Sequence, residues 1–303
     1  MQHTSPFADA LAAGALVLDG GLSNQLQDQG HDLSDALWSA RLLADTPQAV
    51  TTAHRAYYEA GADVAITASY QATFEGFARR GLDREAAAGL LRRSVALARA
   101  AAEETADGRR RWVAASAGPY GAMLADGSEY RGRYGLSVAE LVRFHRPRLE
   151  TLAEAGPDVF ALETVPDTDE AEALLTAVAG LGVPAWLTYN VAGGTTRAGQ
   201  PLADAFALAA SADEVAAVGV NCCAPGEAAE ALRVAASVTS KPLVVYPNSG
   251  ELWDAERRAW YGPALFAPAQ VTGWQRAGAR LIGGCCRVGP TAVRSVAARV
   301  RGA

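Results

Sequence analysis

The stretch "ALVLDGGLSNQL" (residues 15–26) begins as a short apolar run, ends that run in Asp19, Gly20 and Gly21, and then turns polar. A run of this length closed by glycines has the form of a buried parallel strand. Its glycines do not follow the G-x-G-x-x-G spacing that often opens a doubly wound dinucleotide-binding sheet. The choice between an open sheet and a closed barrel therefore turns on how often the unit recurs.

It recurs seven more times, in "ADVAITASY" (62–70), "RWVAASAGP" (111–119), "DVFALETVP" (158–166), "PAWLTYNV" (184–191), "VAAVGVNCC" (215–223), "PLVVYPNSG" (242–250) and "ARLIGGCC" (279–286). Ala-, Leu-, Glu- and Arg-rich stretches with helical spacing lie between the runs, such as "DREAAAGLLRRSVALARAAAEE" and "SVAELVRFHRPRLETLAEAG". Strands alternating with helices build a parallel sheet. Eight such units fit an α/β protein of the (β/α)8 TIM-type barrel class, whereas an open sheet usually has fewer strands. No Ser/Pro linker divides the chain, so residues 1–303 are read as a single domain with residues 1–12 as an N-terminal tail. The polar, glycine-bearing segment "YGAMLADGSEYRGRYGLS" (120–137) is expected over the barrel mouth as a lid or binding loop.

With 27 basic and 33 acidic residues in 303, and no basic run longer than "GRRR", nothing favours nucleic acid as a partner. The N-terminus lacks the basic and apolar parts of a signal peptide. No apolar run reaches the ~18–20 residues of a membrane span. The expectation is a soluble, cytoplasmic protein, where thiols stay reduced.

Barrel sites form at the C-terminal ends of the strands. All four cysteines fall there, as the doublets Cys222–Cys223 and Cys285–Cys286. Buried packing, a disulfide, a redox dithiol and a metal site are the four readings of this pattern. Packing explains one cysteine better than two doublets at strand ends. The reducing compartment disfavours a disulfide, and a redox dithiol is more typically C-x-x-C. Thiolate ligands point to Zn2+.

Side chains alternate along a strand. If Val218 and Val220 line the barrel, Cys222 faces inward as a ligand and Cys223 is a bystander. On the last strand, Gly283 and Gly284 give the backbone freedom to turn both Cys285 and Cys286 toward one ion. Three thiolates on a dication carry net charge −1, a poor Lewis acid suited to holding a fourth thiol as a nucleophilic thiolate. A sulfonium methyl is a matching electrophile, and its attack needs no general base. The four histidines (3, 31, 54 and 145) lie away from the strand ends. Tyr70, Tyr120, Tyr130, Tyr246 and Trp253 are aromatic groups near the mouth that could face a cation.

"LDGGLSNQL", "LWSARLL", "TASYQATFEGF", "GPYGAMLADGSEYRG", "ETVPDTDEA", "GVNCCAP", "YPNSGELWD" and "GGCCRVGP" together resemble the homocysteine S-methyltransferases, and most of all the S-methylmethionine-dependent branch. The resemblance implies a barrel and a zinc site at Cys222, Cys285 and Cys286, with the homocysteine thiolate in the fourth position. It also implies that the homocysteine ammonium lies near Glu163, with Asp19 and Gly20 close by, and that Asn221 holds a ligand loop by hydrogen bonding. The extra cysteine, Cys223, departs from the family pattern. Because the chain ends one helix after the eighth strand, a small diffusible donor is expected: S-methylmethionine, or S-adenosylmethionine as the slower one. Two other readings stay open. One is a phosphate-handling barrel using Gly283, Gly284 and Arg287 at the last helix. The other is a non-catalytic zinc protein binding through all four cysteines.

Overall fold

The computed structural model describes residues 5–33, 37–105, 107–254 and 259–302; the side chains of Trp38, of 252–254 and of 259–260 lie outside those described, so Trp253 takes no further part. Each of the eight apolar runs contains a strand. They are β1 (Leu16–Val17), β2 (Val64–Ile66), β3 (Trp112–Ala117), β4 (Val159–Val165), β5 (Ala185–Tyr189), β6 (Val215–Asn221), β7 (Leu243–Tyr246) and β8 (Ala279–Ile282). Neighbouring strands pair in parallel in the order β1-β8-β7-β6-β5-β4-β3-β2. A parallel bridge between Leu18 and Val64 joins the two ends and closes the ring. The fold is thus a (β/α)8 barrel.

Two apolar layers follow from strand alternation. Leu18, Val64, Trp112, Ala114, Val159, Ala161, Trp186, Ala217, Val244, Tyr246 and Leu281 fill the barrel. Val17, Ala65, Val113, Phe160, Leu187, Val218, Val220, Val245 and Ile282 point outward into the helical layer.

The stretch expected to be a tail contains α1 (Pro6–Ala13), capped by the Ser5 hydroxyl on the Ala8 amide. Its Phe7 and Leu11 pack into the barrel cluster, with the Phe7 ring centroid 5.4 Å from that of Trp112. A sequence window too short for a clear period hid this helix; what fixes it is the open barrel floor it covers.

Candidate active site

The polar ends of β4, β6, β7 and β8 converge at the barrel mouth. Asn221, the last residue of β6, faces inward with Ala217. Its Oδ1 accepts from the Thr164 amide and the Thr188 hydroxyl, both at 2.8 Å, and its Nδ2 donates to the Thr164 hydroxyl at 2.8 Å. It therefore ties the end of β4 to that of β6. Thr164 sits in the left-handed region (φ 62°), a conformation that needs support in a β-branched residue.

The inward face of β6 is not the one the alternation argument assumed. Val218 and Val220 belong to the outer layer, and a regular strand would have carried Cys222 outward with them. Instead Cys222 leaves the strand with φ 49°, and this left-handed residue reverses the direction of its side chain. Cys223 then packs in the outer layer, 1% exposed, where burial pushes its thiol up to about 12. Such a thiol is inert at neutral pH. The four-cysteine reading fails on this geometry.

Cys222, Cys285 and Cys286 come together, all three sulfurs within 4.8 Å of one another. Cys222 and Cys285 are joined as a disulfide, with Cα atoms 5.6 Å apart, against the expectation of reduced thiols; Cys286 is free. The physical reason is that β6 and β8 are separated only by β7, so their ends turn toward each other. Both chemical states use the same atoms: reduced, they are a ligand set; with two electrons and two protons removed, Cys222 and Cys285 share a bond. Three thiolates on one zinc, each at about 2.3 Å, lie roughly 4 Å apart, so the reduced triad fits one soft ion.

Asn248, in the loop after β7, holds this arrangement. Its Nδ2 donates to the Cys222 carbonyl (3.1 Å), its Oδ1 accepts from the Cys286 amide (3.2 Å), and its own amide donates to the Cys223 carbonyl (2.9 Å). Asn190 adds a bond to the Cys222 carbonyl at 3.2 Å. Neither residue is among those singled out from the sequence. The signal was a side-chain amide next to each cysteine strand, which can donate and accept at once.

The double glycine before the cysteines works by space. Neither has positive φ; a Cβ on Gly283 would stand 2.6 Å from Leu18 Cβ, and one on Gly284 would stand 2.1 Å from Val288 Cγ1. Gly20 is alike, since a Cβ there would meet the Val288 carbonyl at 2.0 Å. The Gly21 amide donates to that same carbonyl (3.0 Å), locking the β1 end to the loop that carries Cys285 and Cys286. The Gly283 and Gly284 amides, which the phosphate reading needed, donate instead to the Val245 (3.0 Å) and Asp19 (3.1 Å) carbonyls, and Arg287 pairs with Glu251.

Two buried carboxylates lie at the strand ends of the same barrel mouth. Glu163, in β4, accepts from the Ser116 hydroxyl on Oε1 and from the Tyr246 hydroxyl on Oε2 (3.2 Å). Burial raises its pKa to about 7 against the stabilising pull of those two donors. Asp19 accepts from the Ile66 amide on Oδ2 (2.8 Å), while its buried Oδ1 has no partner. Burial, with the nearby charge of Glu163, holds the Asp19 pKa well above the carboxylate range. A pair of desolvated carboxyls with a spare acceptor is a receptacle for a cation.

A profile of the family described as Homocysteine S-methyltransferase matches residues 16–300. Homocysteine S-methyltransferase 4 of Zea mays is 48% identical over 310 residues, covering 96% of this chain and 90% of its own length. Two crystal structures of the homocysteine methyltransferase MmuM from Escherichia coli superpose with a TM-score of 0.85, one described as the metallated form and one as the oxidized form. They are 43% and 44% identical, and the match covers 94% of this chain and 96% of each of theirs.

Proposed function

The chain belongs to the homocysteine S-methyltransferase family and is a methyltransferase; from that premise we propose that it carries a methyl group from S-methylmethionine, or more slowly from S-adenosylmethionine, to the sulfur of L-homocysteine. The product is methionine. The observation that carries the reading is the convergence of three cysteine sulfurs at a barrel mouth whose strand ends also hold the buried carboxylates Glu163 and Asp19.

Cys222, Cys285 and Cys286 in their reduced form would hold a zinc ion, which supplies the positive charge that keeps a thiol deprotonated at neutral pH. Glu163 binds the homocysteine ammonium, with the free Oδ1 of Asp19 as its second acceptor. This places the amino acid with its sulfur toward the cysteines. Ser116 and Tyr246 hold the Glu163 carboxylate in one orientation, and Asn221 fixes the adjacent Thr164. Gly20 lets the β1 end approach the cysteine loop closely, and the Asp19 carbonyl accepts from the Gly284 amide (3.1 Å).

In the transfer, the new C–S bond forms on the homocysteine sulfur as the donor's C–S bond breaks. The electron pair of the broken bond stays on the donor sulfur, which becomes a neutral thioether. The homocysteine thiol has lost its proton beforehand, so no side chain acts as a base during transfer. A cationic donor suits a mouth rich in thiolate and carboxylate groups.

The test is metal analysis of the reduced protein, together with methionine formation from homocysteine and S-methylmethionine. About one zinc per chain and steady turnover are expected. Reduced protein without zinc and without thiol methylation would sink the reading.

A further inference from the structure

Glu163 and Asp19 serve one amino-acid substrate, yet the reaction takes two. A third carboxylate lies in the connection between β3 and β4. Glu129 lies in a single 3-10 turn, Ser128–Tyr130. The turn is held from within, since the Tyr130 amide donates to the Gly127 carbonyl (3.1 Å) and the Gly132 amide to the Ser128 carbonyl (3.0 Å). It packs so closely on Gly121 that a Cβ there would stand 2.4 Å from the Glu129 amide nitrogen. Both ends of the segment are pinned to the chain after β4: the Tyr120 amide donates to Glu170 (2.5 Å) and the Arg133 amide to Asp167 (2.8 Å).

In this fixed turn, Oε2 of Glu129 is buried and without a hydrogen-bond partner. A buried acceptor left unpaired is destabilising, so it needs a reason. Its surroundings give one. The turn is linked to the sulfur triad through Arg197 and Asn190, whose Nδ2 donates to the Cys222 carbonyl (3.2 Å). The neighbouring Tyr130 ring is 41% exposed. Arg197 lies 5.8 Å from that ring and is bonded through Nε to Asn190 (2.6 Å). Gln71, whose Nε2 donates to the Ala122 carbonyl in the same segment (2.7 Å), also keeps a buried, unpartnered oxygen. Two unpartnered acceptors therefore flank one segment at the rim.

We propose that Glu129 binds the cationic methyl donor and distinguishes it from the methionine it leaves behind. This rests on the donor being a sulfonium amino acid. S-methylmethionine carries one net positive charge, and the methionine formed when it loses the methyl carries none. A carboxylate in a partly dry rim favours the first over the second by Coulomb attraction, which draws the donor in and releases the product. Homocysteine, bound by Glu163 and Asp19, does not depend on it.

The test is steady-state kinetics of Glu129→Gln, which keeps the shape and removes the charge. At saturating homocysteine, the KM for S-methylmethionine should rise roughly ten- to hundredfold, the range for removing one of two opposite charges in a partly dry site. The KM for homocysteine, the inhibition constant of methionine and the zinc content should stay within about twofold, below the few tenths of a kcal/mol typical of uninvolved sites. Glu129→Asp, which restores the charge, should recover most of the donor affinity. An unchanged donor KM, a parallel rise for homocysteine or methionine, or no recovery in Glu129→Asp overturns the proposal while the function above stands. Wild-type protein that methylates homocysteine with no sulfonium donor overturns both.

Discussion

Cys222 shows how one torsion decides a site. Strand alternation alone sends it into the helical layer, and its left-handed backbone returns it to the mouth beside Cys285 and Cys286. Cys222→Ala, Cys285→Ala and Cys286→Ala are expected to lose metal and turnover together, whereas Cys223→Ala keeps most of both, read by metal content per chain. Glu163 gives a pH prediction. Its folded pKa, about 7, lies above its ordinary value of 4.5, so between these the folded state holds a proton that the unfolded state releases. Its stabilising contribution is present below about pH 4.5 and is lost as pH rises through about 7, at up to about 1.4 kcal/mol per pH unit. Binding runs the other way, because the ammonium needs the ionised form. Methionine, whose thioether does not titrate, should bind more tightly from about pH 6 to 8, and Glu163→Gln should flatten that rise while keeping zinc. A pH dependence in the variant equal to wild type would count against the carboxylate's role.

At the scale of elements, the loop after β7 does the joining. Asn248 contacts the backbone of both cysteine segments through its side chain. Removing a group that orients metal ligands commonly costs about 10–100-fold in metal affinity. Asn248→Ala is expected to weaken zinc in that range, by competition with a chelator, with the helical signal of the fold unchanged. At the opposite end, α1 closes the barrel floor. Phe7→Ala should cost about 3–5 kcal/mol in urea unfolding, as large apolar truncations do, with little change in the KM for homocysteine. A loss confined to activity would mean that α1 matters for the mouth and not for the floor.

For the whole molecule, the triad ties the ends of β6 and β8 across β7, so occupancy of the site and stability of the barrel are linked. A ligand that binds only the folded state stabilises it by mass action, about 2.7 kcal/mol at a hundredfold excess over Kd. Reduced protein should therefore melt at higher temperature with added zinc and at lower temperature with chelator, and Cys286→Ala should show neither shift. No helix among the described residues is long and apolar enough to cross a membrane.

The eight-fold recurrence of apolar run and helix determined the barrel from sequence alone, because strand and helix periods are local properties of the chain. The strand-end positions of Glu163, Asp19 and the cysteine doublets were equally legible, since polar residues closing apolar runs mark where the chain leaves the core. The tertiary structure alone decided which cysteine of the first doublet joins Cys285 and Cys286, because that depended on one positive φ at Cys222, which strand alternation does not contain. It alone revealed why Gly20 and Gly283 are glycines, since the atoms they admit come from segments distant in sequence. The same holds for the bridging by Asn248 and the unpartnered oxygen of Glu129. Each is a relation between segments that only closure of the ring brings together.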